Sequence, residues 1–179
     1  MSKWLALLLA ASTAAVAADT VAKRYALPDK SSLQVMMPAA WKDEVRQRQP
    51  GVPPTIVFTP REGASFQVLL TPIRRPRPDM PLATPEQVRA SVQRAADDAK
   101  SQAVEGTLPL AEIEGASGTG YYFSATDKAP AQGDYKYLTE GMVQVADLTL
   151  AFTILTNDGQ QQAKATALDM VKSATRVQP

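Results

Sequence analysis

The sequence predicts an α+β fold, an antiparallel β-sheet with helices packed on it. Residues 118–155 hold three strand-like segments in succession: Gly118–Ala125, Tyr135–Ala146 and Thr149–Leu155. In the last, Leu148, Leu150, Phe152 and Ile154 share one parity and Thr149, Ala151 and Thr153 the other, the period of two of a half-buried strand. Two stretches carry a helical period instead, one after Thr84 and one after Gln160.

The chain opens with MSKWLALLLAASTAAVAADT. Lys3 is a short positive n-region, Trp4 to Ala18 carries no charge, and Ala15-Val16-Ala17 fits the small-x-small cleavage rule. Residues 1–18 read as a signal peptide cut after Ala17 or Ala18, because the apolar run falls short of the roughly 20 residues that span a bilayer. No Cys follows it to carry a lipid, and no later stretch is apolar enough for a transmembrane anchor. The mature chain, residues 19–179, is expected to be one domain outside the cytoplasm, periplasmic or secreted.

Lys23–Leu27 and Ser32–Met37 read as a hairpin around Pro28-Asp29-Lys30-Ser31, with Pro38 ending its second strand. Trp41–Arg48 fits two readings, a helix in which Trp41 and Val45 pair at i, i+4 and a charged edge strand; the second is preferred, since charge protects edges from further pairing. Residues 49–54 (QPGVPP) break both periods and read as a loop. Thr55–Pro60 and Ser65–Ile73 form a second hairpin through Arg61-Glu62-Gly63-Ala64. Arg74–Ala83 (RRPRPDMPLA) is Pro-rich and reads as an extended, exposed crossover.

Thr84-Pro85-Glu86-Gln87 is a helix start. Thr84 caps, Pro85 takes the first helical position and Gln87 completes a capping box. The apolar stripe Val88, Val92, Ala95, Ala96, Ala99 and Ala103 is mostly alanine, so this helix lies close to its sheet. Leu108–Glu114 reads as a short strand leading into the meander. Gln160–Ala174 reads as a closing helix with the stripe Ala163, Ala167, Met170, Val171 and Ala174, capped by Asn157 or Asp158.

What is missing bounds the chemistry. The chain has no Cys and no His. Thiol nucleophiles, disulfides, Cys/His zinc sites and the Ser-His-Asp arrangement are thereby excluded. Basic residues number 19 and acidic residues 18; loss of Lys3 with the leader balances them. A neutral domain has no bulk field to draw nucleic acid.

The remaining motifs read as structure first. Ser-x-x-Lys does not occur, although a Ser and a Lys distant in sequence can still meet. Asp97 and Asp98 point about 100° apart on a helix and read as a solvated face. So do Glu112 and Glu114 on a strand. Residues 115–120 (GASGTG) lack the Gly-Lys-Ser/Thr ending of a phosphate loop and lead into a strand, which makes them a turn. No residue is assigned to catalysis, metal or cofactor. Arg74, Arg75 and Arg77 form the one dense basic cluster, and Trp41, Tyr121 and Tyr122 are aromatics suited to recognition. These six are the candidate partner-binding residues.

The segment LPDKSSLQVMMPAAW resembles the "strand, Pro, two residues, Trp" opening of the PsbP-like family, whose fold is shared with the Ran-binding Mog proteins. The TPEQV helix start and the strand TLAFTIL followed by a helix are similar to that family too. Where the family typically carries Gly before the Trp, this chain has Ala40. The resemblance implies an α/β/α sandwich and a small bacterial periplasmic protein that binds or assists assembly. It transfers no catalytic residue. The functional expectation is an exported non-enzymatic binding or assembly protein whose partner is another exported or envelope protein. The alternative is a small-molecule or lipid carrier with a groove between helix 85–103 and the sheet.

Overall fold

Hairpins account for most of the chain. The computed structural model describes residues 19–47, 52–75, 77 and 79–179. The leader assigned to residues 1–18 lies outside these, as do residues 48–51 of the expected edge strand and loop, and two prolines of the crossover. Strands β1 (Thr20–Ala26) and β2 (Ser32–Pro38) pair antiparallel. Their turn is set by Asp29, whose Oδ1 accepts from the Ser31 N–H (3.2 Å) and hydroxyl (2.6 Å). Strand β3 (Trp41–Arg46) pairs with β4 (Thr55–Pro60), and β4 with β5 (Gln67–Arg74).

Helix α1 (Pro85–Ala99) begins with the capping box. Thr84 Oγ1 accepts from the Gln87 N–H (3.3 Å), and Gln87 Oε1 from the Thr84 N–H (2.9 Å). Val88, Val92 and Ala96 are its buried stripe, and it stops at Ala99, short of Ala103. Strands β6 (Ala111–Gly115), β7 (Gly118–Thr126), β8 (Tyr137–Val145) and β9 (Leu148–Thr156) follow as a meander, then helix α2 (Gln161–Lys172) and strand β10 (Thr175–Val177).

The architecture is α+β, with two antiparallel sheets where the sequence suggested one. The larger has seven strands, in the order β3-β4-β5-β9-β8-β7-β6. The charged strand β3 is at its edge. The smaller, β1-β2-β10, exists because β10 returns to pair with β2. Three residues are too few to show a period, which is why the sequence hid this strand.

Residues paired across neighbouring strands share a face. One face of the large sheet carries Phe58, Val68, Leu70, Phe152, Ile154 and Val143; it packs against α2 and the small sheet in the main core. Phe58 and Phe152 are at most 1% exposed, and each such side chain contributes roughly 1.5–3 kcal/mol by burial. Gly141 marks the centre of this face. A Cβ there would stand 2.5 Å from Tyr122 Cβ and 2.7 Å from the Phe152 ring. The space beside this glycine is closed by these aromatic side chains. The other face carries Phe123 and Ala125, which pack beneath Val92 and Ala96 of α1. The two helices thus lie on opposite faces of the large sheet.

Candidate functional site

The arginine cluster is the first place to look, and its charges are already engaged. Arg74 pairs with Asp29 (3.3 Å). Arg75 donates to the Met80 carbonyl (2.8 Å) and lies 3.8 Å from Asp147. Arg77, 3.9 Å from Asp79, is the most exposed of the three. The first two join a network centred on Arg176 of β10. Its side chain is 7% exposed and its guanidinium meets Asp29, Asp147 and the Ser31 hydroxyl. Asp147 is brought there by the tight β8–β9 turn, in which Ala146 adopts a left-handed φ of 53°. The Ser31 hydroxyl, followed by Arg176 and Arg74, holds the Asp29 carboxyl below its ordinary value. This network fastens the small sheet to the large one.

The aromatics separate as well. Trp41 is 6% exposed and packs on Phe66 with ring centroids 4.8 Å apart, so it belongs to the core and to no surface patch. Tyr121 and Tyr122 are half-buried on opposite faces. Tyr121 lies beneath the Arg89 guanidinium (6.0 Å to the ring centroid) and Tyr122 against Phe152 (6.4 Å). The six candidate residues do not form one site.

A different set of side chains converges. Between the start of α2 and the ends of β7, β8 and β9 lies a half-open cavity of about 310 Å³. Ser124, Thr126, Tyr137, Thr139, Thr156 and Lys164 are among its lining residues; Ala125 and Leu138 border it, but their side chains pack on the α1 face. Lys164 Nζ donates to Ser124 Oγ at 2.8 Å, and Ser124 Oγ lies 2.9 Å from Thr139 Oγ1. Thr139 is 2% exposed. Burial pushes the Lys164 ammonium below the usual lysine value. Among the described residues no carboxylate pairs with it. The nearby acids are engaged elsewhere. Asp158 accepts from the Tyr137 hydroxyl (2.7 Å) and Lys136 (3.0 Å), which hold it low. Glu105 accepts from the Thr126 N–H (2.9 Å) and hydroxyl (2.6 Å); burial opposes its ionisation, but these bonds outweigh it.

No local pattern marks this cluster, because Ser124 and Lys164 are 40 residues apart. The two are the Ser–Lys pair that a Ser-x-x-Lys search misses. The expected cap of α2 also differs. Gln160 is the N-cap residue and makes no side-chain cap. Asn157 Oδ1 accepts instead from the Lys136 N–H (3.0 Å). The Gln160 amide donates to the Ala64 and Ser65 carbonyls (3.2 and 3.0 Å).

The opposite face has less enclosure. At the last turn of α1 a cavity of about 190 Å³ is lined by Ala99, Ala103, Leu138 and Leu155, smaller than the groove expected along that helix. Beyond α1, strands β9 and β5 show half-exposed Thr149, Ala151, Thr153, Leu155, Leu69 and Thr71. Glu140 is on this face beside Phe123 and Thr153, and burial raises its carboxyl above the usual value.

No protein-family model and no curated protein matches the chain. Among solved structures it is similar to the solution structure of cyanobacterial PsbP (CyanoP) from Synechocystis sp. PCC 6803, with a TM-score of 0.44 and 15% identity over 91% of this chain and 96% of that one. No helix of the described residues is long and apolar enough to cross a membrane.

Proposed function

We propose that the protein is an exported, PsbP-like, non-enzymatic binding protein that takes a small ligand in the cavity between α2 and the large sheet. The observation that carries this reading is the convergence of Lys164, Ser124 and Thr139 on one cavity of about 310 Å³, at the small end of the range for ligand sites. The carrier reading thereby moves from the α1 groove to the other face. A Ser–Lys contact is also a nucleophile–base geometry. Acyl transfer further demands preorganised donors around a developing oxyanion. Ser124 is instead in the middle of a paired strand, with its hydroxyl held by Thr139. That arrangement favours holding a ligand over attacking one.

Native mass spectrometry of the protein taken from its own compartment tests the reading. A small-molecule adduct that disappears in Lys164→Met is the expected result. A ligand-free spectrum, with no thermal shift from any member of a metabolite panel, removes it.

A second reading, assembly with another envelope protein, is favoured by the half-exposed β5 and β9 residues beyond α1. Photo-crosslinkers at Leu69 and Thr153 would then trap the same protein, and one at Gln162 would not. Equal capture from both sides of the molecule counts against it.

A further inference from the structure

Lys164 occupies an unfavourable position in three respects. Its ammonium is partly withdrawn from water, which costs free energy unless a counter-charge replaces the lost hydration. Its partner within reach is a neutral hydroxyl, Ser124 Oγ. It also stands in the first turns of α2, a helix beginning at Gln161 with no acidic residue in its first turn, where the helix dipole disfavours a cation. The surroundings do not neutralise it. Asp158 is held by Lys136 and Tyr137, and Glu105 by Thr126. Solvent-facing lysines elsewhere on the surface, Lys100 and Lys172, do have acids at 2.6 and 3.0 Å. A bound anion would answer all three costs at once.

Resting on the small-ligand reading above, we propose that the cavity binds an organic monocarboxylate, its charged end on Lys164 and Ser124 and its body against the Tyr137 ring and the methyl groups of Thr126 and Thr156, which share the Ser124 face. One ammonium and neutral hydroxyls balance one negative charge. A phosphate dianion would keep an uncompensated charge in a half-buried site, and no arginine lines the cavity to hold it bidentately. The Tyr137 ring and the threonine methyl groups favour a short hydrocarbon body over a bare inorganic ion.

The test is a titration of the full mature chain, isotopically labelled, with sodium propionate, propionamide and sodium phosphate at fixed ionic strength. Amide shifts of Ser124, Thr139 and Lys164 and the titration of the Lys164 Cε are the readouts. Propionate is expected to give saturable shifts at these residues and to move the Lys164 titration upward. Its affinity should fall as the pH rises past the lowered value of the free lysine and level off once the raised value is passed. Lys164→Met should weaken binding at least tenfold, and Ser124→Ala by a smaller factor, both with unchanged backbone spectra elsewhere.

Propionamide binding as tightly as propionate overturns the anion assignment and leaves the small-ligand reading intact. Phosphate binding tenfold tighter than propionate overturns the monocarboxylate. No saturable shift at the cavity with any of the three removes the proposal, and the adduct seen or missed by native mass spectrometry then decides the broader reading separately.

Discussion

The two faces of the seven-stranded sheet are made by the same strands, yet they are finished differently. On the α2 side the strands offer large apolar residues, and the helix and small sheet close over them. On the α1 side β9 offers threonines and an alanine, and the helix packs chiefly on β7 and β8 around Phe123 and Leu138. Among the described residues, each face nevertheless holds a half-buried charge without a counter-charge, Lys164 on the first and Glu140 on the second. The closed face supplies most of the stability. The informative residues are the two charges that stability alone would not have placed there.

The strongest way to break this contrast is Gly141→Val. Its side chain would meet Tyr122 and Phe152 at contacts below 3.0 Å, and overpacking of this kind costs about 3 kcal/mol. Chemical denaturation should show that loss; a change under about 0.5 kcal/mol would mean that the closed face is loosely packed. Next comes Arg176→Met, which leaves Asp29 with Arg74 and Ser31, and Asp147 with Arg75 alone, at the joint between the sheets. The acids are partly exposed, so a loss of about 2 kcal/mol is expected rather than the full value for a buried pair. Arg74→Met, acting on an exposed pair, should cost less than about 1 kcal/mol. The Asp29 carboxyl is lowered in the fold, so its contribution is present above its ordinary value and is lost as the pH falls through the lowered one. Asp29→Asn should flatten that part of the acid-unfolding curve.

Smaller effects sharpen the comparison. Lys164→Met should raise the melting temperature by roughly 1–4 °C at neutral pH, because it removes a charge the fold disfavours. The folded-state value is lowered, so the penalty is full below it and vanishes as the pH rises past the unfolded value. The gain should therefore fade above about pH 10. Glu140→Gln should stabilise slightly at pH 7. Its folded value is raised, so the penalty disappears as the pH falls below the ordinary glutamate range. If Glu140→Gln raised the melting temperature more than Lys164→Met, the open face would become the stronger candidate for function.

Much of the fold could be read in advance, wherever the signal is local. The capping box needed four adjacent residues, Thr84 to Gln87, and both of its bonds form. The alternation of Leu148 to Ile154 set which face of β9 is buried. What stayed hidden depends on distant partners. The density of arginines after Ile73 suggested a surface for recognition, but Asp29 and Asp147 lie far off in sequence and the fold brings them in to pair. Trp41 is an aromatic suited to recognition in sequence, and it is Phe66, 25 residues on, that holds it in the core. Lys164 and Ser124 share no spacing that a linear pattern records.

The pairing of β10 with β2 also bears on how the chain folds. Arg176 and Asp29 are 147 residues apart in sequence, and β5 must find β9 across the whole of α1 and the meander. Such contacts give a high contact order, and the entropy of closing long loops slows the search for them. The small sheet gains its third strand only once β10 has emerged. A chain still lacking that strand leaves one edge of β2 unpaired and open to pairing with another strand.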